Sequence, residues 1–135
     1  MSGEFSIDYV VLPNSRNPAR DFVDSLDDSA AARIDAFIDR MGAFGTRMHG
    51  KFVRKLTKDI WELRVKHRDR IFRVLYFYRP GRIIVITSGF QKKTDKTPTA
   101  EISRAKRLRK LWLQYRNRYP ENQARREDIL KEHAP

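Results

Sequence analysis

The first third of the chain changes from the two-residue period of a strand to the period of helices. Over residues 5–12, apolar and polar side chains first alternate and are then followed by three apolar residues. This pattern predicts a strand that ends at the following Pro-Asn pair. The apolar spacing then indicates a short helix over 22–26. A longer helix is predicted from Ala30 to a stop at Gly42 or Gly45.

Strand patterns dominate the middle of the chain. Pro80-Gly81 lies between two apolar stretches, and because a type II turn favours this pair, an antiparallel hairpin is predicted. The returning strand contains Ile83–Ile86, which is apolar on both faces and β-branched, as expected of a strand covered on both sides. The predicted strands span residues 52–56, 60–66, 71–78 and 82–90.

A strongly basic helix is predicted after these strands. Thr97 offers an N-cap, Pro98 a first helical residue and Glu101 an acid in the first turn. Pro120 ends the helical pattern. The apolar stripe of this helix comprises Ile102, Ala105, Leu108, Trp112, Tyr115 and Tyr119.

Together these elements predict an α+β fold, in which a small antiparallel sheet packs with N-terminal helices and a C-terminal basic helix. A chain of 135 residues has room for one domain with a proper hydrophobic core. We therefore expect a single domain over residues 1–120, followed by a polar tail over 121–135.

The net charge of +12 is unevenly distributed along the chain. Residues 1–46 carry 4 Lys and Arg against 8 Asp and Glu, residues 47–119 carry 22 against 5, and residues 120–135 carry 3 against 4. A field of positive sign concentrates polyanions and speeds their association. Nucleic acid is therefore the expected partner of the middle of the chain.

The sequence contains no cysteine, which excludes disulfides and thiolate metal sites and makes a reducing cytoplasm the simplest compartment. The first residues lack an export signal, and the longest apolar runs are too short to span a membrane. Neither a metal-ligand spacing nor a glycine-rich phosphate loop is present, so no metal and no cofactor is expected.

Arg73 is the most informative single residue. In the strand over 71–78 it shares a face with Ile71, Leu75 and Phe77, so a guanidinium projects from an otherwise apolar surface. Removing such a charge from water without a partner costs several kcal/mol, roughly. A functional site is the favoured interpretation, and the alternatives are a structural ion pair with Glu62 or Asp69 or a position at the edge of the core.

The preceding strand presents a charged strip. Glu62, Arg64 and Lys66 face one way, while the apolar residues between them face the core. In an antiparallel sheet this strip can lie beside Arg73 and form a cationic floor that contains one carboxylate. An ordinary solvated face with cross-strand ion pairs gives the same pattern.

The end of the last strand adds an aromatic ring and two cations. Phe90 could stack a base, and Lys92 and Lys93 could hold phosphates. A lysine pair alone is equally typical of a surface that only confers solubility.

Five segments in this order and spacing resemble the RelE/ParE superfamily of toxins, and specifically its phage-derived HigB-like branch. The resemblance implies a RelE-like α+β domain and an endoribonuclease that cuts translated mRNA in the ribosomal decoding site. It also implies a partner, an antitoxin with a helix-turn-helix domain. The segments are Lys55-Leu56, Ile60–Arg64, Phe72–Tyr76, Gly89–Thr94, and Thr97-Pro98 with Glu101, Ile102 and Ala105.

Carried over residue by residue, the resemblance assigns phosphate positioning and transition-state stabilisation to Arg64 and Arg73. It makes Glu62 either the general base or the residue that orients Arg73. The catalytic candidates are Arg64, Arg73, Lys92 and Glu62, and the RNA-binding candidates are Lys93, Lys55, Lys66, Phe90 and Arg54.

Two other functions fit the same sequence. One is a toxin that poisons DNA gyrase, since a fold does not fix a function; a ribonuclease instead stops translation first and cuts mRNA only with ribosomes present. The other is an RNA-binding regulator without catalysis. For a nuclease, Arg73→Ala is expected to abolish growth arrest and leave folding largely intact.

Overall fold

A computed structural model describes residues 4–118 of the chain, with side chains up to residue 115. Tyr119, the expected stop at Pro120 and the expected polar tail lie outside the described residues. All predicted strands and helices are present, several with shifted ends. They are β1 (Ser6–Tyr9), α1 (Pro18–Asp24), α2 (Asp28–Phe44), a 3₁₀ turn (Gly45–Arg47), β2 (Val53–Lys55), β3 (Trp61–His67), β4 (Arg70–Arg79), β5 (Ile83–Gln91) and α3 (Thr99–Arg118).

The five strands form one sheet in the order β1-β5-β4-β3-β2. Strands β2 to β5 are antiparallel, and Gly81 in the β4–β5 hairpin has the positive φ, 88°, that a type II turn requires at this position. The predicted α+β fold is therefore confirmed, with an antiparallel sheet from β2 to β5. Strand β1 departs from this pattern, because it pairs with β5 in parallel and makes the five-stranded sheet mixed. Alternation identifies a strand, but it carries no information about the direction of a neighbour that is distant in sequence.

Helices cover both faces of the sheet. On one face α1 and α2 enclose a core that includes Ile34, Ile84 and Ile86. On the other face α3 packs through Trp112 over a second core that includes Val85. Successive residues of β5 are therefore buried on opposite sides, which confirms the prediction of a strand covered on both faces. Ala105, Leu108 and Trp112 of the predicted stripe are buried beneath α3.

The sequence predicts that α2 stops at Gly42 or Gly45, and in the structure it stops at Gly45. It continues through Gly42, and Gly45 follows its last residue with a φ of 55°. A Cβ atom at Gly45 would overlap the Phe5 ring, so neither the backbone conformation nor the space there suits another residue.

The start of α2 is tied to the sheet through Asp27. Its carboxylate caps the helix by accepting from the Ala30 amide, and its other oxygen lies 2.8 Å from Arg70 Nη2 at the start of β4. The Arg70 guanidinium, and after it the Ser29 hydroxyl, hold the pKa of Asp27 well below its ordinary value of 3.8. A carboxyl whose pKa is lower in the folded than in the unfolded state stabilises the fold at every pH above its unfolded-state pKa. This stabilisation is lost as the pH falls towards the folded-state pKa.

Asp27→Asn is expected to lower the free energy of unfolding at neutral pH, because Asn caps a helix as well as Asp but cannot pair with Arg70. The difference from wild type should shrink below about pH 4, where the wild-type carboxyl starts to bind a proton as the chain unfolds. Urea unfolding at neutral and acidic pH measures both effects. An equal difference at both values would show that the charge of Asp27 contributes nothing.

Strand β5 contains a bulge. Leu75 of β4 pairs with Ser88, but the next residue, Tyr76, pairs with Ile86, so Thr87 is an extra residue whose hydroxyl donates to the Leu75 carbonyl at 3.0 Å. Beyond the bulge, Phe90 pairs with Arg73 and lies on the α3 face of the sheet.

Candidate active site

A cleft of about 320 Å³ lies at one end of the sheet, on the face that α3 covers elsewhere. Strands β2, β3 and β4 form its floor, and the segment between β5 and α3 forms one wall. Its lining combines five basic side chains with two carboxylates. The residues that line it are Gly50, Lys51, Phe52, Val53, Arg54, Glu62, Arg64, Arg73, Lys92 and Asp95.

The floor of the cleft contains a buried ion pair. Arg73 Nε lies 2.9 Å from Glu62 Oε1, and each residue exposes only 3% of its surface. The N–H of Arg73 Nε does not point along this contact, so the pair is electrostatic rather than a well-aligned hydrogen bond. Of the two partners considered for Arg73 in the sequence, the structure has Glu62 and not Asp69.

Thr97 connects this ion pair to the segment before α3. Its hydroxyl donates to Glu62 Oε2 at 2.6 Å and accepts from Arg73 Nη1 at 2.8 Å and from Arg54 Nη2 at 3.1 Å. The prediction of Thr97 as a helix N-cap is therefore wrong, because three charged residues of the strands engage its hydroxyl and α3 begins only at Thr99.

Arg73 uses all three of its nitrogens inside the protein. Besides Glu62 and Thr97, it donates from Nη2 to the Asp95 carbonyl at 2.9 Å. These contacts fix β3, β4 and the wall segment to one another. The geometry gives Arg73 a positioning function, while its side chain still borders the cleft.

Arg64 is the open cation of the cleft. It lies directly opposite Arg73 in the pairing of β3 with β4, on the same face, but it is exposed. Within the described region of the chain no carboxylate comes into ion-pair distance of its guanidinium, which interacts only at longer range with Asp95. An arginine held beside a buried network and free of a carboxylate can donate to a phosphate.

Lys92 and Asp95 form the wall of the cleft. Lys92 Nζ lies 2.9 Å from Asp95 Oδ1, and its side chain is 17% exposed whereas Asp95 is fully exposed. The hydrogen bond from Lys92, strengthened by its charge, lowers the pKa of Asp95. Asp95 is therefore ionised at neutral pH and neutralises part of the cationic wall.

The other RNA-binding candidates occupy different places. Arg54 lies in the cleft, 56% exposed, with Nη2 at 3.3 Å from Glu62 Oε2. Lys93 is exposed in a shallow depression next to Lys92. Phe90 is half-buried against the core beneath α3, so its ring serves packing.

Lys55 and Lys66 do not enter the cleft. Lys55 pairs with Trp61 and lies over its ring at 6.0 Å, on the opposite face from Glu62. Lys66 lies in a neighbouring groove that shares Arg64 with the cleft. We call it the α2 groove; it is lined by Arg33, Phe37, Arg40, Lys51, Phe52, Arg64 and Lys66.

Sequence reasoning missed two polar residues of the site and the segment before β2. Thr97 and Asp95 were not among the candidates, although Thr97 belongs to the segments that resemble the toxin superfamily. Gly50 and Lys51 gave no signal, because nothing in a loop sequence shows which cavity it borders.

In residues 4–115 no cluster of His, Asp or Glu is arranged to hold a metal ion. None of the described helices combines the length and the apolar character that a membrane crossing requires.

Comparison with known proteins identifies a family. A search of the curated proteins gives no match. Among solved structures, the chain is similar to one in the archaeal RelE–RelB complex from Pyrococcus horikoshii OT3, with 21% identity, a TM-score of 0.45, and coverage of 64% of this chain and 92% of that one. The family model "Phage derived protein Gp49-like (DUF891)" matches residues 21–110, more than half of the chain. The chain therefore belongs to the Gp49-like family of phage-derived proteins.

Proposed function

We propose that this protein is the toxin of a type II toxin–antitoxin pair and that it is an endoribonuclease which cleaves mRNA on the ribosome. The observation that carries the proposal is the open guanidinium of Arg64 beside the buried Glu62–Arg73–Thr97 network, in a chain of the Gp49-like family. The reaction needs no metal if cations of the protein stabilise the charge that develops.

The geometry suits attack by a ribose 2′-hydroxyl on the adjacent phosphate. This step forms a bond from the 2′-oxygen to phosphorus, breaks the bond to the 5′-oxygen, and builds negative charge on a five-coordinate phosphate. Preorganised donors aimed at such charge account for a large part of many enzymes' rate enhancement. Arg64 is the residue to which we assign this stabilisation, with Arg54 and Lys92 holding the phosphates on either side.

Glu62 fits the orienting role better than that of general base. One of its oxygens lies against Arg73, and the other accepts from Thr97 and contacts Arg54. To act as a general base, Glu62 would need one of these oxygens within hydrogen-bond reach of the 2′-hydroxyl that it deprotonates. The ammonium of Lys92 has the access that Glu62 lacks, and we assign to it the protonation of the 5′-oxygen as that oxygen leaves, while the proton of the attacking 2′-hydroxyl passes to water.

Dependence on the ribosome follows from the openness of the cleft. Arg64 is exposed to water, where a charge pair at contact distance is stabilised by only about 1 kcal/mol. Enclosing the same contact between the toxin and the decoding site removes water and strengthens it several-fold. We further propose that the partner is an antitoxin with a helix-turn-helix domain, which holds the toxin inactive in the cytoplasm.

The purified protein is expected to cleave mRNA when ribosomes are present and to leave the same mRNA intact without them. Primer extension on a defined message, with and without ribosomes, measures this. Induction in cells should stop translation before replication. Early DNA damage with intact mRNA would instead identify a gyrase poison, and ribosome binding without cleavage would identify an RNA-binding regulator.

A further inference from the structure

The α2 groove is separate from the network at the active site but continuous with the cleft. It has a volume of about 430 Å³, and Lys51, Phe52 and Arg64 border both cavities. Strand β2 pairs with β3 only as far as Leu63, so within the described residues the outer edge of β3 beyond Arg64 carries no further strand. The groove follows this edge from the cleft to α2.

Every charged side chain that lines the α2 groove is basic. The lining includes five cations and no carboxylate. Arg33 and Arg40 differ in this respect from Arg16 and Arg20, the other two arginines of residues 1–46, which both form ion pairs with aspartates. Arg33 and Arg40 have no such carboxylate partner among the described residues.

Aromatic rings hold these cations in place. Arg33 and Arg40 lie over the Phe37 ring at 4.9 and 5.1 Å from its centroid, and Lys51 lies over the Phe52 ring at 5.3 Å. Arg33 Nε also donates to the Lys66 carbonyl at 3.3 Å. A contact with a ring orients a cation without neutralising its charge. The positive charge of the groove therefore stays available to a polyanion.

We propose that the α2 groove binds the phosphate backbone of the RNA strand that is cut in the cleft, on one side of the scissile linkage. This inference rests on the proposed function, because the strand in the groove is the one that continues from Arg64. A row of cations without carboxylates can contact consecutive phosphates of an RNA backbone. The Phe37 ring is buried, so it positions the arginines and does not stack a base.

The test is the binding of a single-stranded 2′-O-methyl RNA, which lacks the attacking hydroxyl, to the full-length protein without ribosomes. Fluorescence anisotropy over a range of salt concentrations gives the number of phosphate contacts. For Arg33→Gln/Arg40→Gln, the slope of log association constant against log salt should become less negative by about 1.4, or about 0.7 per lost contact. The matched control is Lys106→Gln/Arg107→Gln, which removes two exposed charges from α3 on the other face of the sheet.

A smaller slope for the groove variant and an unchanged slope for the control support the inference. Equal changes in both variants would show a general effect of net charge, and no change in the groove variant would show that RNA does not enter it; either result overturns the inference. It is also overturned if the groove variant loses antitoxin binding but keeps the RNA slope. If the slopes change as expected but the wild-type protein shows no ribosome-dependent cleavage, RNA binding in the α2 groove is supported and the proposed ribonuclease function is wrong.

Discussion

Replacing Arg64 by glutamine is expected to lower the rate of ribosome-dependent mRNA cleavage by about 10²- to 10³-fold, as the loss of one preorganised donor to a developing anion does. The side chain is exposed and contacts no carboxylate in the described residues, so the free energy of unfolding should stay within about 0.5 kcal/mol of wild type. Single-turnover cleavage on a programmed ribosome, together with urea unfolding, measures the two quantities independently.

The control for this variant is Arg47→Gln, which removes the same charge from an exposed position that borders neither the cleft nor the α2 groove. Its cleavage rate should fall little, and only through weaker long-range attraction. If both variants lose cleavage to the same extent, the basic field and not a contact made by Arg64 explains the activity.

Arg73→Ala is expected to lower the free energy of unfolding by about 3–5 kcal/mol, since it leaves the Glu62 carboxylate buried without its partner. Cleavage should also disappear, because the Asp95 and Thr97 anchors of the wall segment are lost with it. This replaces the expectation from the sequence that folding would survive the substitution. Thermal and urea unfolding of the purified variant give the stability.

The double variant Arg73→Met/Glu62→Leu separates stability from chemistry. Replacing a buried ion pair by apolar residues of similar size is often neutral, so most of the lost stability should return. Cleavage should not return, because the network that positions the wall is absent. If Arg73→Ala alone is as stable as wild type, Arg73 does not belong to this network. Recovery of cleavage in the double variant would show that the ion pair has no role in catalysis.

Local alternation was sufficient to predict the centre of the site. It placed Arg73 on the face of Leu75 and Phe77, and Glu62 and Arg64 on one face of their own strand. The remaining uncertainty was the pairing of the two strands, and in an antiparallel hairpin between sequence neighbours only a few registers are possible. The ion-pair and functional interpretations of Arg73 proved compatible, because the pair borders an open cleft.

Other features depend on contacts that no local pattern contains. Thr97 matches an N-cap in sequence, but three charged side chains from distant strands engage its hydroxyl. Arg54 and Lys55 are adjacent and both basic, yet only one of them can face the cleft, and the pairing of β2 with β3 selects Arg54. The direction of β1 likewise depends on its pairing with β5, a strand distant in sequence.

The bulge at Thr87, and not only the composition of β5, determines which residues after it face the candidate active site. If the same residues formed a regular ladder without the bulge, Phe90 and Lys92 would turn towards α1, and Gly89, where a Cβ would come within 2.6 Å of the Phe22 ring, would turn towards α3. Relatives that differ in length between the hairpin and the lysine pair should therefore be compared by sheet face, since an ungapped alignment would match lysines that point to opposite sides of the molecule.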